Sequence, residues 1–371
     1  MRLLPNTLLA VTCAVTCAVP ATAQDGVVYY KFDATDTTQV LNHAHGASAG
    51  PRFGTTSWPA NLCYTTGQIG HALQRSGLVG LAGKFVETGV TGPIAGSMTI
   101  AFALRNGGAN SSATYSPIAG QPSWSIATGG SAGSGLQLHG TGVGDVNGDF
   151  GAPLCSLPGW NHFAVVVDAA AGTARWYGNG ALVSSQPISG GVQIAAQQAL
   201  RVGTDYVTHC GGLYDIDEFR LLDRAASATE IAAWANGTAA TAVPFGAATA
   251  VALAANQTPQ LGNPTFALVA TAPNSLLVAF AFGSSYAQFG GTALPLSLNG
   301  VLPGPAGQLL LVAPEGISVA ATQDGVATLP LPVPANTQLL GRFAAVQAIA
   351  LLGDGQFRTG NALLVSPGTA Q

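Results

Sequence analysis

The sequence predicts an all-β protein in which a jelly-roll sandwich is followed by a smaller β-sandwich. Short segments with strand-like patterns recur about every dozen residues and are separated by Gly-rich turns, a spacing typical of sandwiches. Helical periodicity is almost absent before Ser227. Of the 371 residues, 48% are hydrophobic and 8% are charged, so the chain has enough apolar material for more than one core.

The N-terminus has the pattern of a secretory signal peptide. Arg2 precedes an apolar run over residues 8–19, and residues 21–23 have the small-x-small pattern of a cleavage site. This arrangement predicts removal of residues 1–23 before Gln24 and a secreted product, extracellular or on the cell surface. The other apolar runs are too short or too interrupted to predict a membrane span.

Residues 24–238 form the predicted jelly roll. Residues 27–33 and 97–105 alternate between apolar and polar side chains, as strands with one core face do. Residues 162–168 are apolar on both faces and predict a central strand. An Asn-Gly pair lies between residues 173–177 and 181–183, and it predicts a tight hairpin turn.

The closing unit of this domain combines a strand with a short helix. Residues 214–222 alternate with one irregular step between Ile216 and Phe219, which predicts a bulge. Without the bulge, Asp217 would share the core face and need a cation or several donors. Ser227 and Glu230 then form a capping box that predicts a helix start.

The composition changes after the closing unit. Residues 239–261 are rich in Ala and Thr and predict a linker or a first edge strand. Residues 262–371 resume the strand pattern, and the chain carries only five charged residues from Pro244 onward. A second, smaller all-β sandwich over 262–371 is therefore predicted. Its sequence resembles an uncharacterised C-terminal domain of secreted planctomycete-type bacterial proteins.

An ordered set of motifs within 24–238 resembles the laminin G-like, concanavalin A-like lectin/glucanase jelly roll. The motifs are Tyr29-Tyr-Lys-Phe-Asp33, Gly67-Gln-Ile-Gly70, Met98-Thr-Ile-Ala-Phe102, Trp160-Asn-His-Phe-Ala-Val-Val-Val-Asp168, Trp176-Tyr-Gly-Asn-Gly180 and Tyr214-Asp-Ile-Asp-Glu-Phe-Arg220. The resemblance implies two curved antiparallel sheets, extracellular binding of glycans or proteins, and a structural calcium ion in many members.

The resemblance also implies which residues would hold that calcium. They are Asp33 after the first strand, Asn42, and Asp217 in the closing strand. Calcium prefers six to eight oxygen ligands and would neutralise an inward carboxylate. An ion pair of Asp217 with Arg220 or Arg224 is the alternative.

The sequence predicts no catalytic site. Laminarinase-type relatives carry Glu-x-Asp-x-x-Glu on one strand, but Arg220 stands at the position of the last acid. Residues 129–133 match Gly-x-Ser-x-Gly, yet they lie between two predicted strands, whereas a nucleophile elbow needs a helix after it. Residues 145–149 match the first acidic positions of an EF-hand loop without flanking helices, and they predict a turn.

The remaining predictions concern disulfides, partners and function. Export makes a disulfide between two of Cys63, Cys155 and Cys210 plausible, with the pairing left open. A net charge of −4 with two lysines excludes a basic nucleic-acid surface.

The sequence therefore predicts a secreted, non-catalytic binding or adhesion protein for a glycan or a cell-surface partner. The alternatives are a glycan-acting hydrolase and a structural surface-assembly protein. The aromatic residues considered for stacking on sugars are Tyr29, Trp58, Tyr64, Trp124 and Tyr206.

Overall fold

The structure is a computed structural model, and its described residues cover most of both predicted domains. They are 26–33, 38–44, 53–55, 62–74, 85–106, 116–128, 135–140, 142–150, 157–196, 198–204, 214–248, 250–283, 288–289, 292–293, 296–299, 302–303, 306–310 and 315–369. The predicted signal peptide, residues 129–133, Trp58, Cys155, Tyr206 and Cys210 lie outside these ranges. Cys63 is half-buried, and the disulfide stays a prediction.

The described residues of the first domain form eighteen strands and one helix. These are β1 (Val28–Tyr30), β2 (Gln39–Leu41), β3 (Phe53–Thr55), β4 (Tyr64–Thr66), β5 (His71–Leu73), β6 (Val86–Glu87), β7 (Ile94–Gly96), β8 (Met98–Asn106), β9 (Ser116–Gln121), β10 (Trp124–Thr128), β11 (Leu136–Gly140), β12 (Gly144–Gly148), β13 (Trp160–Asp168), β14 (Thr173–Gly178), β15 (Ala181–Pro187), β16 (Val192–Ile194), β17 (Arg201–Val202), β18 (Tyr214–Leu222) and α1 (Ala228–Ala235).

Two antiparallel sheets enclose the core of this domain. The first sheet has the order β15-β14-β13-β8-β18-β5-β4, with β1 also paired to β18, and the second has the order β12-β11-β10-β9-β17-β6-β3-β2. Large apolar side chains such as Phe102, Trp124, Trp176 and Phe219 fill the space between the sheets. Both indole N–H groups find acceptors: Trp124 Nε1 donates to Gln121 Oε1 at 2.7 Å, and Trp176 Nε1 donates to the Val146 carbonyl at 3.3 Å. The all-β prediction is confirmed.

The local predictions for the closing unit and the hairpin are confirmed. The β18–β8 register shifts between Asp217 and Arg220, and Glu218 has φ +50°. In the hairpin between β14 and β15, Asn179 and Gly180 both have positive φ (47° and 83°), as a tight primed turn requires. Glu230 N donates to Ser227 Oγ at 3.2 Å, and Ser227 N donates to Glu230 Oε2 at 2.8 Å. This capping box starts α1, which packs on the outer face of the first sheet.

The second domain is also a sandwich. Its elements are β19 (Thr241–Phe245), β20 (Ala252–Ala255), β21 (Ala267–Thr271), β22 (Ser275–Gly283), β23 (Gln288–Phe289), β24 (Thr292–Ala293), β25 (Leu296–Ser297), β26 (Gln308–Leu309), β27 (Gly316–Ala321), β28 (Val326–Pro330), a 3-10 turn (Thr337–Leu339), β29 (Ala344–Leu352) and β30 (Phe357–Ser366). A five-stranded sheet, β19-β30-β29-β22-β27, and a three-stranded sheet, β20-β21-β28, contribute to one apolar core.

Residues 239–261 are not a linker, which corrects one of the two predictions for this segment. They contain β19, an edge strand of the five-stranded sheet, and β20. Their Ala and Thr side chains suit close packing in a sheet, and Ala242, Leu253 and Ala255 belong to the second core. The second predicted alternative, a first edge strand, is the observed one.

The two sandwiches pack directly against each other. Leu41 and Phe53, on the outer face of the second sheet, join one apolar cluster with Val243 and Phe245 of β19, and the Phe53 and Phe245 rings are 6.3 Å apart. Among the described residues, no helix is long and apolar enough to cross a membrane.

Candidate functional site

The three predicted calcium ligands are all buried near the junction of the two sandwiches, and the side chain of Asn42 is bonded to backbone groups. The side-chain oxygen of Asn42 accepts hydrogen bonds from the backbone amides of Tyr29 and Ala44, at 2.9 and 3.0 Å. Its amide nitrogen donates to the carbonyl of Val27 at 3.0 Å. Asn42 therefore ties β1 to the segment after β2, and both lone pairs of its oxygen are used.

Asp217 is held by backbone amides. Its Oδ2 accepts from Gln68 N at 2.8 Å and from Ile69 N at 3.2 Å, and its Oδ1 accepts from Glu218 N at 2.8 Å. Burial raises the pKa of Asp217 well above its usual value, with Glu218 and Asp33 acting in the same direction and the amide bonds opposing them. The bulge after Asp217 turns this carboxylate away from the core that holds Phe219.

Asp33 lies under the same loop as Asp217, beside a buried lysine. Its Oδ1 accepts from His71 N at 3.2 Å. Burial raises the pKa of Asp33 to about 7, although Lys31 lowers it. The Lys31 ammonium is 1% exposed and donates to the Ala239 carbonyl at the start of the second sandwich. Burial lowers the pKa of Lys31 to about 8, while Glu218, Asp33 and Asp217 raise it.

Arg220 supplies a second buried cation. Its Nη2 donates to Glu218 Oε2 at 3.0 Å and to the Tyr29 hydroxyl at 2.9 Å. The guanidinium lies 4.2 Å from the centroid of the Tyr29 ring and 4.9 Å from that of Trp234. The Tyr29 hydroxyl also contacts Thr238 Oγ1 at 3.1 Å. The buried charge cluster, defined as Lys31, Asp33, Asp217, Glu218 and Arg220, thus contains two cations and three acids.

These residues do not fit a calcium site. Asn42 is fully used by backbone groups, and N–H donors face both oxygens of Asp217. Among the described residues, no group of three or more His, Cys, Asp or Glu side chains has an arrangement that could hold a metal ion. Lys31 and Arg220 already supply positive charge to the acids. The alternative prediction was an ion pair of Asp217 with Arg220 or Arg224. The structure instead pairs Arg220 with Glu218 and Arg224 with Glu230.

A second group of polar residues lies on the solvent side of the second sheet. Cross-strand pairing places eight residues directly opposite one another across all eight strands. We call them the polar row: Gln39, Thr55, Glu87, Arg201, Gly120, Ser125, His139 and Asp145. The neighbouring positions Val86, Val202, Ile126 and Leu138 point into the core, so the side chains of the row face the opposite way.

The middle of the polar row is organised by an ion pair. Arg201 Nε and Nη2 both donate to Glu87 Oε1, at 3.1 and 3.0 Å, and the guanidinium lies 4.5 Å from the centroid of the Phe85 ring. Gly120, next in the row, lies against the neighbouring strand, because a Cβ there would be 2.8 Å from the Trp124 carbonyl oxygen. Ser125, the next residue of the row, is buried.

The two ends of the polar row differ. At one end His139 Nδ1 and Asp145 Oδ1 are 2.6 Å apart, and both side chains are exposed. At the other end, Gln39 is followed by Leu41, which packs against the second sandwich. The row therefore extends from the domain junction to the free edge of the sheet.

Other sequence-based site hypotheses are corrected by the structure. Tyr29 and Trp124 are buried and unavailable for stacking on a sugar, and Tyr64 packs partly against the core. Residues 145–149 do not form a turn, because Asp145 and Asn147 lie in β12, paired with His139 and Gln137 of β11. The strands predicted on either side of residues 129–133 are β10 and β11, and they pair with each other.

Sequence reasoning missed the polar row and the role of Lys31. From Gln39 to Gly120, neighbouring residues of the row are 16 to 114 positions apart in the chain, and only the strand register brings them together. Lys31 was visible as a lysine inside an apolar strand, one of two lysines in the chain. A lysine in such a position rarely becomes buried without partners, and this signal could have identified it.

Two eight-stranded antiparallel sheets, closed by a bulged strand and a capped helix, define the class of jelly-roll sandwich domains. Residues 88–232 match the family model described as the concanavalin A-like lectin/glucanases superfamily. The resemblance inferred from the sequence motifs is therefore confirmed over these residues. No curated protein matches the chain.

Three solved structures are similar to this chain. Domain 4 of AbnA, a GH43 extracellular arabinanase from Geobacillus stearothermophilus, in complex with arabinotriose, is 18% identical with a TM-score of 0.43, over 57% of this chain and 98% of that chain. The CBM40 of the Ruminococcus gnavus IT-sialidase, bound to alpha2,3 sialyllactose, is 12% identical with a TM-score of 0.29, over 38% and 82%. The binding domain of Paraclostridial Mosquitocidal Protein 1 is 8% identical with a TM-score of 0.41, over 92% and 91%. Matches at this level carry no information about a ligand.

Proposed function

We propose that the protein is an exported, non-catalytic glycan-binding protein whose ligand lies along the polar row. The observation that carries the proposal is the alignment of eight directly opposed residues on one solvent-facing side of the second sheet. Seven of these residues have side chains that donate or accept hydrogen bonds, as the hydroxyl groups of a sugar require. The family match over residues 88–232 supports a carbohydrate ligand.

The dimensions of the row suit an oligosaccharide. Eight strands give seven inter-strand spacings of about 4.8 Å, so the row is about 34 Å long. Packing of the second sandwich at Leu41 and Phe53 limits it at one end. The Glu87 and Arg201 charges offset each other, and Asp145 adds one negative charge, so a neutral glycan is favoured over a sulfated or uronate-rich one.

The carboxylates of the polar row are placed unfavourably for hydrolysis. Glu87 on β6 and Asp145 on β12 are separated by five strand spacings, or about 24 Å, whereas glycosidases need two carboxyl groups about 5 to 10 Å apart. The acids of the buried charge cluster, Asp33, Asp217 and Glu218, are buried and out of reach of a polymer. The geometry therefore favours binding over glycan cleavage.

Export and the nature of the partner belong to the same proposal. The pattern of residues 1–23 supports export, and a glycan on a cell surface or in a secreted polysaccharide would be accessible to an exported protein. A cell-surface protein is the alternative partner. It would contact the same polar row through its own polar side chains.

A glycan array with the full-length secreted protein tests this proposal. We expect binding to neutral oligosaccharides of several units and weaker signals for sulfated or uronate-rich ones. Each glycan that binds is then incubated with the protein, and released reducing ends are measured; none are expected above the buffer control. Release of reducing ends would contradict the non-catalytic assignment, and an array without any signal would contradict glycan binding.

A further inference from the structure

Strand β27 is an exposed sheet edge with an unusual composition. It has the sequence Gly-Ile-Ser-Val-Ala-Ala and forms the end of the five-stranded sheet, where its described strand partner is β22. Ile317 and Val319 are each 61% exposed. One side of the strand therefore presents backbone hydrogen-bonding groups, and one face presents two branched apolar side chains, without a charged residue.

Edge strands are normally protected against pairing with another chain by proline, charge or a bulge. The other described edge strands of five or more residues have such protection. β15 ends in Pro187, β19 contains Pro244, β28 ends in Pro330 and β12 contains Asp145. Among these edges, β27 is the one without proline or charge, so it is the one suited to pairing.

The apolar surface continues from β27 over the neighbouring strands. Val319 lies opposite Ala279 of β22, which lies opposite Ile349 of β29. Leu277 and Leu351 form a parallel row beside them, and all four of these neighbours are half-buried. A patch of this kind, several side chains wide, is typical of an interaction surface.

We propose that β27 pairs with β27 of a second copy of this chain, antiparallel and about a two-fold axis at Ser318. Residues opposite each other in an antiparallel pair share a face. This register therefore places Ile317 of each copy opposite Val319 of the other, on the same face of a sheet that continues from one copy into the next. The two apolar patches become neighbours, and no like charges meet because β27 carries none.

A second copy fits this edge better than an unrelated partner for reasons of symmetry and composition. A two-fold axis requires one surface to be complementary to itself. In the proposed register Ile317 of each copy lies opposite Val319 of the other, so the same apolar pair forms twice. β27 itself is an uncharged strand with Ile317 and Val319 exposed, so a second copy brings an apolar surface of the same kind and no like charge. Pairing through β27 leaves the polar row, on the other sandwich, uncovered.

Sedimentation equilibrium of the full-length protein tests the proposal. We expect the weight-average mass to rise from one chain toward two chains between about 1 µM and about 1 mM, the range of a moderate-affinity contact. Val319→Lys introduces a charge twice per dimer and should weaken association at least about tenfold. Leu182→Lys is the matched control, because Leu182 is 56% exposed on the protected edge strand β15; this variant should associate like the wild type.

Two outcomes would overturn the proposal. A wild-type protein that stays at the mass of one chain throughout the range has no such contact. A Val319→Lys variant that associates as strongly as the wild type places any contact elsewhere. Circular dichroism establishes whether each variant is folded. If Val319→Lys does not fold, Val319→Thr replaces it, because Thr keeps the β-branched shape and has a hydroxyl in place of a methyl group.

Discussion

Replacing Lys31 by Met tests whether an internal ammonium neutralises the buried charge cluster. Lys31 is 1% exposed, donates to the Ala239 carbonyl and interacts electrostatically with Glu218, Asp33 and Asp217. Met has a similar length and no charge, so Lys31→Met leaves the acids with Arg220 as their remaining described cation. Lys31 hydrogen-bonds the Ala239 carbonyl and acts on the acids through space, and leaving a buried acceptor unsatisfied costs about 1–3 kcal/mol. Since whole domains are stable by about 5–15 kcal/mol, the loss should be measurable.

The assay is urea denaturation at pH 7, followed by tryptophan fluorescence, with the free energy of unfolding taken from the midpoint and slope. Arg175→Met is the matched control. Arg175 pairs Asp168 at 3.1 Å, but the two side chains are 29% and 22% exposed, and exposed pairs contribute about 1 kcal/mol or less. A Lys31→Met variant that loses no more free energy than Arg175→Met would refute the role assigned to Lys31.

Three further perturbations test other parts of the structure. Burial lowers the pKa of His162 to about 3, so this residue supports the fold while it is neutral and the support is lost as pH falls below its unfolded pKa of about 6.5. Between pH 6.5 and pH 5, the free energy of unfolding of the wild type should therefore fall by about 2 kcal/mol relative to that of His162→Leu, measured by urea denaturation. If the difference in free energy between the two proteins is the same at both pH values, the imidazole is not buried in its neutral form. EDTA should leave the melting temperature unchanged, because backbone amides bind Asp33 and Asp217 and Arg220 pairs Glu218. A decrease that added calcium reverses would restore the calcium hypothesis. Ser227→Ala should cost about 1 kcal/mol through loss of the helix cap, whereas a cost near zero would show that α1 is held by its packing alone.

Local features were predictable from the sequence because their causes are local. The capping box depends on Ser227 and Glu230, three positions apart, and the tight hairpin depends on adjacent Asn179 and Gly180. The bulge was visible as a break in alternation after Ile216, and its position determined that Asp217 would leave the core face. Motif order then identified the class of fold.

The polar row and the buried charge cluster depend on interactions between distant parts of the chain. Arg201 meets Glu87 across 114 positions, and strand register alone decides such a meeting. Burial of Lys31 and Asn42 depends on how β1, β2 and the start of the second sandwich pack together, which no short pattern encodes. Residues 239–261 were predicted as a linker or an edge strand because small residues in an uncharged segment are compatible with both.

Binding of a neutral oligosaccharide by variants at the polar row tests the proposed function most directly. Isothermal titration calorimetry with the strongest glycan from the array would compare the wild type, Arg201→Ala and Arg175→Ala. Arg201 and Arg175 have similar side-chain exposure, 24% and 29%, and pair with Glu87 and Asp168 respectively, but of the two Arg201 alone lies in the row. Loss of hydrogen bonds from a charged donor should weaken binding by Arg201→Ala about tenfold or more, while Arg175→Ala binds like the wild type. Equal affinities for all three proteins would contradict glycan binding along the row.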